Sequence, residues 1–148
     1  MSSRRARAAA LAAVLTAVIA GCGGEGTDAY TLVYVRSAEQ FKQSVDAARA
    51  KAARAKTLAD RVPALEAFKA STDRLARELA RADPPGEVAE LNDQAVDILH
   101  RFSDDLGELR QAAAANDKRG ARALEPRLRS DQAELQDVLD QIDQKLGE

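Results

Sequence analysis

The chain has no tryptophan, one cysteine and one histidine among its 148 residues. A single cysteine cannot form an internal disulfide, and one histidine with one cysteine cannot build the Cys/His clusters that hold zinc. No serine or cysteine nucleophile motif accompanies His100, and the sequence has neither a glycine-rich phosphate loop nor internal repeats. The sequence therefore predicts that the protein is not an enzyme, with no catalytic site, no metal site and no cofactor.

The first 21 residues differ from the rest of the chain in charge and hydropathy. Arg4, Arg5 and Arg7 make the start basic, and residues 8–20 (AAALAAVLTAVIA) form an uncharged apolar run. This run is too short to span a bilayer core, which requires about 20 residues. Because a basic stretch followed by a short apolar run is typical of secretory signal peptides, we expect residues 1–21 to direct export and to be removed.

The apolar run ends in Ile19-Ala20-Gly21-Cys22. This stretch resembles the lipobox of bacterial lipoproteins, in which an aliphatic residue and two small residues precede a cysteine. The resemblance covers about the first sixth of the chain. It implies cleavage between Gly21 and Cys22 and acylation of the Cys22 thiol, for example by palmitate. The alternative is a free cysteine that follows an ordinary signal peptide or a short anchor helix.

This resemblance also implies a location. Two acyl chains give stable membrane anchoring, so we expect an extracytoplasmic protein whose partner, through acylated Cys22, is the lipid bilayer. Nucleic acid is not an expected partner of an exported chain. Residues 22–36 are predicted to be the lipidated cysteine and a flexible tether, because residues 23–28 (GGEGTD) are rich in glycine.

Residues 30–35 (YTLVYV) alternate in the manner of a β-strand. The sequence leaves open whether they form a short strand or the lead-in to the first helix. Ser37, with Gln40 three residues later, forms a capping-box pattern. The helical domain is therefore predicted to span residues 37–148.

Apolar residues recur at helical spacing through residues 41–146. Steps of four and three residues are typical of packed helices. Breaks are predicted at Pro63, at residues 83–86 (DPPG) and at Asn116-Asp117, where Asn116 suits a left-handed closing position and Asp117 a helix cap. Short connections favour antiparallel neighbours. We predict an all-α fold, an antiparallel up-down helical bundle of three long helices, or four if Pro63 is a turn.

Segment 41–59 has the weakest predicted packing. After Phe41 and Val45 its apolar positions are alanines, which bury little area. We therefore expect this segment to open before the other helices, or to pack against something outside this chain.

Charge is distributed unevenly along the chain. Removal of residues 1–21 would change the net charge from −2 to −5, and residues 36–81 carry +5 whereas residues 82–148 carry −8. One interpretation is that a basic helix pair packs against an acidic pair. The other concerns a basic cluster close in sequence to the predicted anchor, which would contact an anionic leaflet or an anionic wall polymer. That cluster comprises Arg49, Lys51, Arg54 and Lys56.

Asp93, Asp97, His100 and Asp104 form a polar stripe along one face of a helical segment. The spacing Asp97-x-x-His100 resembles the carboxylate-x-x-His element of di-iron bundles. Those sites need a second such element and further carboxylates that point inward. Because the stripe lies opposite the apolar positions of the segment, we expect it to face water and to hold no metal.

Residues 84–91 (PPGEVAEL) and the Ala- and Arg-rich composition are similar to those of small helical lipoproteins of high-GC bacteria, a likeness that implies no particular activity. We expect a membrane-anchored lipoprotein of the bacterial cell envelope. Its helical domain would be an interaction or structural module that meets an envelope protein or an anionic wall polymer. The alternative is a lipoprotein that binds a small ligand or a divalent cation between its helices, although only Asp131 places a charge on an apolar seam.

Overall fold

Four long helices account for most of the part of the chain that the structure describes. The computed structural model describes residues 25–147, and the predicted signal peptide and Cys22 lie outside them. The helices are α1 (Glu25–Arg54), α2 (Val62–Arg81), α3 (Gly86–Ala114) and α4 (Lys118–Leu146), with a short 3-10 turn (Ala59–Arg61) before α2. The predicted all-α class is confirmed, with four helices rather than three. No helix within residues 25–147 combines the length and apolar character needed to cross a membrane.

The first helix begins earlier than the sequence predicts. Residues 25–36 are helical, so the flexible tether predicted for residues 22–36 is wrong from residue 25 onward. Ser37 is not an N-cap but a residue inside α1, and it is 4% exposed. The strand alternative for residues 30–35 is also wrong, because Tyr30 and Tyr34 are four residues apart and therefore share one face of a helix.

A turn closed by side chains separates α1 from α2. The Asp60 carboxylate accepts hydrogen bonds from the backbone N–H groups of Lys56 (3.2 Å) and Thr57 (2.9 Å). The backbone N–H of Asp60 donates in return to the Thr57 hydroxyl at 3.1 Å. Pro63 lies in the first turn of α2, where a missing backbone donor costs no helical hydrogen bond. Pro63 therefore begins a helix instead of kinking a longer one.

The predicted break at Asn116-Asp117 is confirmed in detail. Asn116 has φ 54°, the left-handed conformation that ends a helix. The backbone N–H of Asp117 donates to the carbonyl of Ala112 at 2.8 Å, while the Asp117 side chain accepts from the backbone N–H groups of Arg119 and Gly120. This sequence stops α3 and starts α4 within three residues.

The third helix packs against two neighbours, α2 and α4. The apolar repeat places Ile98 and Phe102 on one face of α3, and both are buried. A second row through Asn92, Leu99 and Ser103, which a single seam does not include, is buried as well. A helix with neighbours on both sides buries more than one stripe, and this accounts for the difference from the sequence prediction.

The three phenylalanines of the chain meet in the core. The ring centres of Phe41 and Phe68 are 6.2 Å apart, and those of Phe68 and Phe102 are 5.5 Å apart in an edge-to-face arrangement. Such pairs contribute about 0.5–1.5 kcal/mol beyond the area they bury. Together they connect α1, α2 and α3.

Two tyrosines secure the first half of α1. The Tyr30 hydroxyl donates to the Asn92 side-chain oxygen at 2.8 Å, and the Asn92 amide donates to the Leu79 carbonyl at 3.1 Å. The Tyr34 hydroxyl donates to the Leu139 carbonyl of α4 at 3.4 Å. Burial raises the pKa of Tyr30 to about 12. The start of α1 is thus held by hydrogen bonds to α3 and α4, and Asn92 extends the first of these to α2.

The second half of α1 is less well packed. Val45 is only partly buried, Ala48 is buried, and the 3-10 turn contains no buried residue. Phe41, by contrast, belongs to the core. The weak segment that the alanines indicate therefore starts after Phe41 and continues through the turn to residue 61.

We expect amide hydrogen exchange to be faster across residues 45–61 than across residues 30–41 and 95–106. Local opening follows local burial, and residues 45–61 bury mainly methyl groups. Exchange measured by mass spectrometry on overlapping peptides checks this. Equal protection of residues 45–61 and 30–41 would contradict the expectation.

Candidate functional site

The four basic residues predicted to contact an anionic surface do not form one patch. Arg49 is half-buried, and its guanidinium lies 3.5 Å from the Asp46 carboxylate. Lys51 and Arg54 are exposed near the end of α1, and Lys56 lies in the turn that follows. Lys51 is about 39 Å along the helix axis from the first residue of α1. Closeness in sequence to Cys22 therefore does not make this cluster close in space to the start of the helix.

The basic and acidic halves of the chain are not joined by opposite charges in the way the sequence suggests. Within the described residues, the ion pair between α2 and α3 joins Glu66, from the mainly basic residues 36–81, to Arg110, from the mainly acidic residues 82–148. Arg110 Nε lies 3.0 Å from Glu66 Oε1. Each partner therefore has the charge that is in the minority in its own half. The other interhelical ion pairs connect α3 with α4. The interpretation that the two halves neutralise each other is wrong for direct contacts. Several arginines and lysines of α1, α2 and their connection are exposed instead: Arg36, Lys51, Arg54, Lys56, Arg61, Arg74, Arg77 and Arg81.

A buried carboxylate lies between α3 and α4. Asp105 is 3% exposed and forms an ion pair with the Arg127 guanidinium. The other terminal nitrogen of Arg127 lies 3.1 Å from Glu108. A buried charge without a partner destabilises a fold by several kcal/mol, so Arg127 is the residue that allows Asp105 to occupy the interface.

A second arginine connects the same two helices one turn away. Arg101 Nη2 lies 2.6 Å from the Glu134 carboxylate and 3.5 Å from the Asp131 carboxylate. Burial raises the pKa of Asp131, and the attraction of Arg101 offsets this only in part. Asp131 is the charge that the sequence places on the apolar seam of α4, and the structure puts it at the edge of the core, 14% exposed.

A third polar cluster joins α2 to α3. Lys69 Nζ donates to the Ser103 hydroxyl at 2.8 Å and to the Asp73 carboxylate at 3.0 Å, and the Ser103 hydroxyl donates to Asp73. Burial opposes ionisation of Asp73, but hydrogen bonds from Ser103 and Lys69 outweigh it and hold the pKa of Asp73 below its ordinary value.

A serine next to a lysine is one arrangement that activates a nucleophile. Here the Lys69 ammonium forms an ion pair with the Asp73 carboxylate. Ser103 is 3% exposed, and its hydroxyl donates a hydrogen bond to the same carboxylate. The cluster therefore resembles a hydrogen-bonded contact between helices more than a reactive centre.

Two open clefts adjoin these clusters, of about 290 Å³ between α3 and α4 and about 360 Å³ between α2 and α3. Pockets for small ligands have volumes of roughly 300–1,000 Å³ and are mostly apolar. Charged residues of both clefts pair with one another: Arg127 with Asp105 and Arg110 with Glu66 between helices, and Lys69 with Asp73 within α2. Charges that already satisfy one another leave few groups to orient a ligand.

The polar stripe of α3 faces solvent, as the sequence predicts. Asp93, Asp97, His100 and Asp104 are all exposed. Over residues 25–147, no three or more His, Cys, Asp or Glu side chains come together in a group that could hold a metal ion. The stripe therefore lacks the convergent ligands of a metal centre.

We expect Asp131→Asn to raise the melting temperature at neutral pH and to have little effect in acid. Because the pKa of Asp131 is raised in the folded state, its contribution favours folding below the ordinary aspartate pKa. This contribution is lost as the pH rises through the folded-state value. The asparagine side chain has no charge to gain as the pH rises, so the variant avoids this loss of folding free energy. Melting temperatures across pH 3–8 measure the effect.

The matched control is Glu134→Gln, which removes the same charge and the shorter of the two Arg101 ion pairs at a half-exposed position. This variant should not show a gain that grows with pH. An Asp131→Asn variant that is less stable than the wild type at neutral pH would contradict the expectation.

No protein-family model, curated protein or solved structure matches this chain. Its function is therefore inferred from its own residues and their arrangement.

Proposed function

We propose that the chain is a lipoprotein of the bacterial cell envelope, anchored to the membrane through acylated Cys22. Its four-helix domain would act as an interaction or structural module rather than as an enzyme. The lipobox-like residues 19–22 at the end of an apolar run support the anchor. The polar clusters support the module, because their charges are engaged in contacts between helices.

One observation carries most of this proposal. α1 begins at Glu25, three residues after Cys22, and its tyrosines are buried from residue 30 onward. The domain therefore follows the proposed lipid attachment site almost directly. Such an arrangement suits a protein that works at the membrane surface, in contact with an envelope protein or a wall polymer.

We also infer that the four helices run up and down in chain order. The contacts between consecutive helices pair increasing residue numbers on one helix with decreasing numbers on the next, as antiparallel neighbours do. The pairs are Glu66–Arg110 and Leu79–Asn92 for α2 and α3, and Arg101–Glu134 and Glu108–Arg127 for α3 and α4. For α1 and α2 they are Phe41–Phe68 and, through the shared Asn92 amide, Tyr30–Leu79.

Replacement of Cys22 by Ser should abolish acylation and leave an uncleaved precursor or a released protein. The thiol is the group that lipid transfer requires, and a serine hydroxyl is a much weaker nucleophile. Intact mass and partitioning into a detergent phase measure the result. Gly23→Ser, which introduces the same side chain at the next position, should remain acylated. Unchanged detergent partitioning of Cys22→Ser would contradict the proposal.

The alternative function is the binding of a small ligand or a divalent cation. The polar stripe of α3 is its best candidate, and we expect millimolar calcium or zinc to leave the melting temperature unchanged, because the stripe is exposed and its ligands do not converge. A stabilisation that disappears in Asp97→Ala but persists in Asp137→Ala would favour the ligand-binding function instead.

A further inference from the structure

α1 presents one continuous row of residues to solvent. Exposed side chains lie at steps of four, three, four, four, three and four residues, a spacing that keeps them on one side of a helix. We call this row the outward face of α1. Its members are Leu32, Arg36, Glu39, Gln43, Ala47, Ala50 and Arg54, and Val33 and Lys51 flank it.

The outward face is apolar at its first end. Leu32 is 68% exposed and Val33 is 41% exposed, and they are the large hydrophobic residues that the described chain leaves in solvent. Single exposed apolar residues are ordinary. These two are adjacent, and Tyr30 and Tyr34 fix the backbone on either side of them against the core. The patch is therefore held outward by a well-packed helix.

The apolar end lies within reach of the proposed lipid. The three residues from Cys22 to Glu25 span at most about 11 Å. The helix from Glu25 to Leu32 adds about 10 Å along its axis. A chain anchored at Cys22 thus keeps Leu32 within about 21 Å of the lipidated residue, whatever the tilt of the helix.

The charged residues of the outward face indicate which kind of partner it would bind. Arg36, Lys51 and Arg54 lie on or beside the row. Glu39 lies in the row and accepts a hydrogen bond from Gln43, whereas Asp46 lies toward one edge and pairs with Arg49. Three basic residues against one acidic residue leave the face with a net positive charge, which disfavours a second copy of the same face and favours an anionic lipid surface.

We propose that α1 lies along an anionic lipid surface on its outward face. Leu32 and Val33 enter the interface at the anchor end, and Lys51 and Arg54 meet the headgroups at the far end. This inference rests on the proposed function, because the lipid on Cys22 brings the face to the bilayer. It also gives the distant basic residues a membrane contact that an upright helix would deny them, since Lys51 is about 39 Å along the helix axis.

Spin labels on the lipidated protein test the orientation. Acylation occupies the Cys22 thiol, so a cysteine placed at Leu32, at Arg54 or at the control position Asp97 of α3 is the only free thiol. The protein is reconstituted in vesicles of phosphatidylglycerol and phosphatidylcholine. A label at residue 32 should gain collisions with lipid-soluble oxygen and lose collisions with a water-soluble nickel complex. Labels at residue 54 should lose nickel collisions, and labels at residue 97 should remain in water.

Vesicle binding by the mature chain with Cys22→Ser separates the two proposals, because it needs no lipidation. Leu32→Gln/Val33→Gln should lower the partition coefficient for phosphatidylglycerol vesicles about tenfold, since an inserted apolar pair is lost. Lys51→Gln/Arg54→Gln should lower it at low salt and not at high salt. Arg74→Gln/Arg77→Gln removes the same charge from exposed positions of α2 and should have a much smaller effect.

The outcomes can be told apart. Unmodified Cys22 by intact mass would overturn the lipoprotein proposal, while the partition coefficients still report on the outward face. A label at residue 32 that stays in water, or equal losses from the α1 and α2 charge pairs, would overturn the orientation of α1. Protection of residue 32 that depends on protein concentration would assign the face to a second copy and overturn it as well.

Discussion

The buried amide of Asn92 is the interaction on which the arrangement of the helices depends most. Asn92 is 2% exposed and receives the Tyr30 hydroxyl from α1 while it donates to the Leu79 carbonyl at the end of α2. A buried amide is costly unless it is hydrogen-bonded. The pairing therefore specifies which residues of α1, α2 and α3 lie side by side. Apolar contacts such as those of the phenylalanines then add stability to a register that the polar groups have defined.

Charge has a different role at the interfaces on either side of α3. Between α3 and α4, Arg127 and Arg101 each connect to carboxylates, and the Asp105 partner of Arg127 is buried. Between α2 and α3, Lys69 joins Ser103 of the neighbouring helix. A buried ion pair adds little net stability, but loss of one partner leaves an uncompensated buried charge, so the two residues must stay together. The acidic surplus of α3 and α4 is thus used partly within their own interface, which leaves the basic residues of α1 and α2 exposed to surroundings outside the chain.

Much of the fold follows from periodicity and from turn chemistry. The apolar repeat locates the helices, and the Asn116-Asp117 pair locates a chain reversal because both residues act through local hydrogen bonds. Glycine content predicts too long a tether because it describes the average behaviour of a segment, whereas the burial of Tyr30 and Tyr34 on one face extends the helix back to Glu25. Asp105 was not singled out, because a charged residue next to Asp104 suggests a solvated surface. Only the structure shows that Asp105 is buried between α3 and α4, with Arg127 as its partner.

The two ends of α1 differ in how firmly they are held, and this has a mechanical consequence. A membrane anchor at Cys22 would pull on α1 from its first residue, where Tyr30 and Tyr34 bind the helix to α3 and α4. Tension would therefore load the best-secured contacts first. The thinly packed stretch from residue 45 to the turn at Asp60 lies beyond them and would carry almost no force. A domain built in this way would resist detachment of its first helix even though part of that helix is thinly packed.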